Sequence, residues 1–96
     1  MQAIYDSQAR AIAIQLESDP RQDRTDEVAP GAIAGLRDGR IVEVELIGVG
    51  SADDLQRIGL VSARYGLDPE AITAAFHAAV SAPDRLVTMT VTARAA

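Results

Sequence analysis

The chain has 96 residues, 48% of them hydrophobic, with 14 acidic and nine basic side chains and a net charge of −5. A chain of this length buries roughly two thirds of its unfolded surface, enough for one core and too little for a second, so 1–96 reads as a single domain. Cysteine is absent and His77 is the only histidine, which excludes a disulfide framework and a structural zinc; neither a metal nor a cofactor is expected. The acidic balance repels phosphate backbones and anionic membranes. Three rings, Tyr5, Tyr65 and Phe76, are too few to stack a single strand of bases. The opening MQAIYDSQAR lacks the basic-then-apolar order of a secretory signal, and no apolar stretch approaches the ~20 residues that span a bilayer, so the expected location is the cytoplasm. Every basic residue is Arg, which suits a GC-rich coding genome better than any selected chemistry.

The first elements read as strands. In "YDSQARAIAIQL", Ile12, Ile14 and Leu16 fall on one face and Ala11, Ala13 and Gln15 on the other, the period of two of a half-buried strand. "AIY" precedes it, and "DSQA" between them is a tight connection in which Asp6 and Ser7 can bond local amides, so a hairpin is predicted. Glu17 to Glu27, "ESDPRQDRTDE", is dense in charge, carries Pro20 and reads as an exposed loop. Strand signals resume in "EVAPGAIAGLRDGRIVEVELIGVG". Asp38-Gly39 suits the positive φ of a two-residue turn, so Ile33–Leu36 and Ile41–Ile47 should pair antiparallel, with Val42, Val44 and Leu46 toward the core and Glu43 and Glu45 away from it.

The period then changes. "SADDLQRIGLVSARYG" predicts a helix capped by Ser51, with Asp53 and Asp54 in its first turn and Leu55, Ile58, Val61, Ser62 and Tyr65 on its buried side. Gly66 is placed to end it in a left-handed conformation. A second helix follows from Asp68 as cap and Pro69 at the first position, burying Ile72, Ala75, Phe76 and Ala79, and Pro83 stops it. "DRLVTMTVTARAA" is again a strand, in which Val87, Met89 and Val91 alternate with threonines; these three form a candidate interaction strand.

Tyr5, Asp6, Ala9, Ala11, Ile14 and Leu16, followed by Gly31, Ile33 and "DGRIV" from Asp38 to Val42 with Glu45 and Leu46, carry a resemblance. Ala3 to Val49 resembles a widespread family of small bacterial domains of unknown function, whose pattern is Tyr-Asp-x-x-Ala-Asp-Ala, an alternating strand, an acidic connection and an Asp-Gly-Arg-Ile-Val strand. The resemblance implies an antiparallel β-meander. Arg10 stands where the family usually has Asp and Ala13 where it often has Tyr. Some relatives are similar to the second gene of two-gene toxin–antitoxin-like cassettes, which implies a protein partner encoded next door; no catalytic residue carries over.

The residues with chemistry to offer are few. Tyr5-Asp6 suits an acid–phenol pair or a strand end starting a turn. Glu43 and Glu45, ~7 Å apart along a strand, suit paired carboxylates or a solvated sheet face. Asp53-Asp54 point in different directions on a helix and cannot chelate as a pair. His77 shares the polar side of the second helix with Glu70 and Thr73 and has no nucleophile placed beside it. The two helices with their Gly-containing turn have the outline of a DNA-reading motif, yet the second offers Glu, Thr, His and Ala where base readers carry Arg, Lys, Asn or Gln.

The expected architecture is α+β: an antiparallel sheet of four or five strands built on a meander over 3–49, with a helical hairpin over 51–82 on one face and a strand at 85–94 that completes the sheet or pairs across a dimer. The expected function is a non-enzymatic interaction module that associates with itself, as a homodimer, or with a protein partner, and with neither nucleic acid nor membrane. The runner-up is a small-molecule binder or enzyme in a pocket between sheet and helices, with Tyr5, Arg10, Glu43, Glu45 or His77 as polar groups. DNA binding through the helical hairpin is the third.

Overall fold

The structure, a computed structural model, describes residues 1–90. Strands β1 (Gln2–Asp6), β2 (Ala11–Gln15), β3 (Arg24–Ala29), β4 (Ala32–Arg37) and β5 (Arg40–Ile47) are followed by helices α1 (Asp54–Tyr65) and α2 (Pro69–Ser81) and by strand β6 (Leu86–Thr88). All pairings are antiparallel, in the spatial order β3-β4-β5-β2-β1-β6. Two runs of sequential strands, β1–β2 and β3–β4–β5, therefore join where β2 pairs with β5. The sheet has six strands, one more than the upper expectation.

The sixth strand is β3, which begins inside the stretch whose charge density suggests a loop. A strand at the sheet edge needs one partner only, and charge along it blunts pairing with other chains, so it carries little apolar alternation to read. Its register with β4 shifts between Glu27 and Ala29. At the opposite edge, β6 adds to β1 through Ala3↔Val87 and its neighbours, so the final strand completes the chain's own sheet. Asp84 ties this edge to the β1–β2 turn, accepting from the Ser7 amide and hydroxyl at 2.9 and 2.7 Å.

Local chemistry sets the turns. Asp6 Oδ1 accepts from the amides of Gln8 and Ala9 at 3.0 and 3.1 Å, and the β4–β5 turn places Asp38 and Gly39 at φ 54 and 76, the pair of positive values that a two-residue hairpin requires. Gly66 ends α1 left-handed at φ 66, and Asp68 caps α2 by accepting from the Glu70 amide at 3.0 Å.

Both helices pack on one face of the sheet. Ile12, Ile14, Val44 and Leu46 meet Ile58, Val61, Ile72, Ala75, Phe76 and Ala79 in one fully buried cluster. The N-cap of α1 is Asp53, not Ser51, whose hydroxyl instead accepts from the Asp53 amide at 3.2 Å. Leu55, expected in the buried stripe, is 53% exposed. Its place is taken by Asp54 and Arg57, a buried pair at 2.9 Å. Arg57 also donates to the carbonyls of Ile47 and Gly31 at 2.6 and 3.2 Å, so α1 turns its polar shoulder toward the end of β5. A Cβ at Gly31 would lie 2.6 Å from the Arg57 guanidinium, which reserves that position for glycine. No described helix is long and apolar enough to cross a membrane.

Candidate functional site

The face of the sheet turned away from the helices is built by the alternate residues of every strand. Register places two rows across it. One runs Glu27, Ile33, Glu45, Ala13, Ile4, Leu86; the other runs Thr25, Gly35, Glu43, Gln15, Gln2, Thr88. The first row is largely apolar, and Leu86 at one end is 54% exposed; Ile47, on the same face at the end of β5, is 45% exposed. The two rows hold three carboxylates and no basic side chain.

Small side chains on β2 hollow the middle of this face. Ala11 and Ala13 lie between Ile4 and Asp6 on β1 and Glu45 on β5, lining a depression of about 270 Å³. Its walls are two strand spacings apart, ~10 Å. Glu43 and Glu45 stand beside it on β5. Burial pushes the Glu43 carboxyl above the ordinary range; the Gln22 hydrogen bond opposes that and the neighbouring Glu45 charge adds to it. Gln22 reaches Glu43 across Gly35, where a Cβ would collide with its amide. The arrangement is an acidic wall beside an apolar floor, suited to binding a cationic apolar element and poor in groups for chemistry.

Of the five candidate site residues, only Glu43 and Glu45 share a location. Tyr5 belongs to the opposite, helix-covered face, half-buried against the core. Arg10 sits at the β1–β2 turn with φ 52 and donates through Nε and Nη2 to the Val49 carbonyl at 3.0 and 2.9 Å. That clamp joins the hairpin to the segment after β5. His77 is exposed on α2, edge-on to Phe76 at 5.5 Å. Of the candidate interaction strand, Val87 pairs with Ala3 in the edge strand β6 and Met89 packs on the core, while Val91 lies outside the described residues.

Three polar clusters escape sequence reading. Glu17 accepts from Arg37 at 3.0 Å and pairs with Arg40 at 2.6 Å. Beside it the Arg21 hydrogen bonds draw the Asp19 carboxyl from 3.8 down to about 2. Asp26 on β3 accepts from the Tyr65 hydroxyl and from Arg64 of α1, which holds its carboxyl below the ordinary range and raises the Tyr65 phenol. The third is Asp54–Arg57. No signal in the sequence marks them, because every partner but those of Asp54 and Asp19 lies far along the chain.

The interior between sheet and helices is filled by the buried cluster. A cavity of about 660 Å³ lies at its end, beside the start of α2, lined by Leu16, Ile41, Leu67 and Ile72 together with Glu17 and Arg40. Among the described residues no group of three or more His, Asp or Glu is placed to hold a metal ion. Comparison of the chain with family models, with curated proteins and with solved structures gave no match.

Proposed function

We propose that the protein is a non-enzymatic interaction module that receives a protein partner on the open face of its sheet. One observation carries the reading: the helices cover one face, while the other holds the half-exposed Ile47 and Leu86 and a hollow whose Ile4, Ala11 and Ala13 stand outside the buried cluster. Apolar surface presented together with a polar rim is the usual mark of an interaction site. A face-to-face dimer sets a patch against its own copy, so Glu43 and Glu45 would meet like charges. The charge therefore favours a different protein over self-association, in keeping with an adaptor or antitoxin-like role.

Nuclease-treated affinity capture of the tagged chain from its native host tests this, with Ala13→Arg as the comparison and circular dichroism to confirm its fold. The expected result is a stoichiometric companion that the variant loses. A companion retained by Ala13→Arg, or a wild-type homo-oligomer with none, contradicts it.

A second reading, a small ligand at the end of the sheet, is supported by the 660 Å³ cavity and its paired Glu17 and Arg40. A thermal-shift screen in which a hit vanishes with Ala71→Phe, a side chain lining that cavity, would favour it. DNA binding has the least support, since α2 exposes Glu70 and His77 and carries no Arg or Lys.

A further inference from the structure

We infer that the partner docks a basic amphipathic helix along β2, its apolar edge on Ala11 and Ala13 and two cations, four residues apart, against Glu43 and Glu45. The inference rests on the open face being the docking surface. Three features of that face select such an element.

The first is width. The walls on β1 and β5 stand ~10 Å apart, close to the diameter of a helix with its side chains. An alanine floor lets a helix approach the sheet closely, as Ala75 and Ala79 of α2 do on the covered side, where both are fully buried. The second is the asymmetry of the walls. Ile4 on β1 is apolar, with Asp6 beyond it bound to the Gln8 and Ala9 amides of its own turn, whereas Glu45 on β5 is acidic, with Glu43 next along the strand. An occupant must therefore carry an apolar edge and a cationic edge side by side, as an amphipathic helix does. The third is spacing. Carboxylates two residues apart on a strand are separated by ~7 Å, and positions four apart on a helix by ~6 Å of rise, so cations at i and i+4 meet both at once.

Charge complementarity excludes a second copy of this face, because its two central rows carry Glu27, Glu43 and Glu45 and no arginine. The sheet edges are weaker alternatives for an added strand. β3 is charged and irregular in register, and β6 has three residues.

The test uses two fluorescein-labelled helical peptides of about 18 residues, ~27 Å long. Both carry the same Leu and Ala stripe, flanked in one by Arg at i and i+4 and in the other by Glu. Fluorescence anisotropy at about 0.15 M salt reads binding to the full chain. Glu43→Gln/Glu45→Gln should weaken the Arg peptide about tenfold or more, and Ala13→Phe, which fills the hollow, should weaken it similarly. Asp38→Asn/Asp53→Asn removes the same charge elsewhere and should change binding by about twofold or less. Circular dichroism establishes that each variant is folded. Equal loss in both double variants, equal binding of the Glu peptide, or no binding of the Arg peptide would overturn the inference. If affinity capture yields a companion that Ala13→Arg loses while the Arg peptide fails, the docking face stands and the helical partner falls; if both fail, both fall.

Discussion

The same strands present two different surfaces. On the covered face β2 contributes Ile12 and Ile14 and β5 contributes Val42, Val44 and Leu46, every one fully buried. One residue over, the same strands show Ala11, Ala13 and Gln15, and Glu43 and Glu45. A residue that must drive folding is large and apolar, because each buried aliphatic side chain contributes about 1.5–3 kcal/mol. On the proposed docking face another rule would hold: small where a neighbour must come close, charged where it must be of one kind. The half-buried Glu43 works against the fold and is kept on the open side.

The contrast is sharpest in side-chain truncation. Leu46→Ala should cost about 3 kcal/mol, since it combines lost burial with a cavity, whereas Ile47→Ala, one position along and half-exposed, should stay within about 0.5 kcal/mol; urea denaturation measures both. Asp54→Ala leaves Arg57 buried without its carboxylate and should also cost about 3 kcal/mol in the same assay. A loss below about 1 kcal/mol there would mean that the Ile47 and Gly31 carbonyls suffice for the guanidinium.

Smaller effects come from partly exposed groups. Tyr65→Phe removes a hydrogen bond to a carboxylate and should lower stability by less than either Leu46→Ala or Asp54→Ala. It should also flatten the acid limb. The Asp26 carboxyl is depressed in the fold, first by Tyr65 and then by Arg64, so its stabilisation is complete above the unfolded value and is lost as pH falls through the lower folded one. Glu43 has the opposite sign, because burial raises it: the folded state holds its proton more tightly, and stability declines as pH rises through the folded value. Glu43→Gln should therefore remove that decline and slightly stabilise the protein at neutral pH while weakening a cationic partner. A loss of stability from this substitution would contradict the account of the open face.

Much of the fold is legible because its signals are local. Asp38-Gly39 specifies a turn, Gly66 a helix end and Asp68-Pro69 a helix start, and each needs only its neighbours. The face parity of β2 and β5 is legible for the same reason. What is not legible depends on who lies across. The edge strand β3 carries little alternation, since charge suits an edge. Leu55 looks like the buried residue of α1 until Arg57 finds the carbonyls of Gly31 and Ile47 and turns the helix. The Asp26–Tyr65 bond spans 39 positions. Glu43 and Glu45 read as a pair from their own strand, but Ala13 beside Glu45 and Ile4 beside Ala13 follow from strand order, and with them the groove.

Methyl-resolved NMR of the chain, with and without a companion recovered by affinity capture, tests the central claim most directly. The account predicts that the methyls of Ile4, Ala13, Ile33, Ile47 and Leu86 shift on binding while those of Ile14, Val44, Leu46 and Ile58 hold still. Shifts confined to Leu55 and Leu60 on α1, with the open face silent, would contradict it.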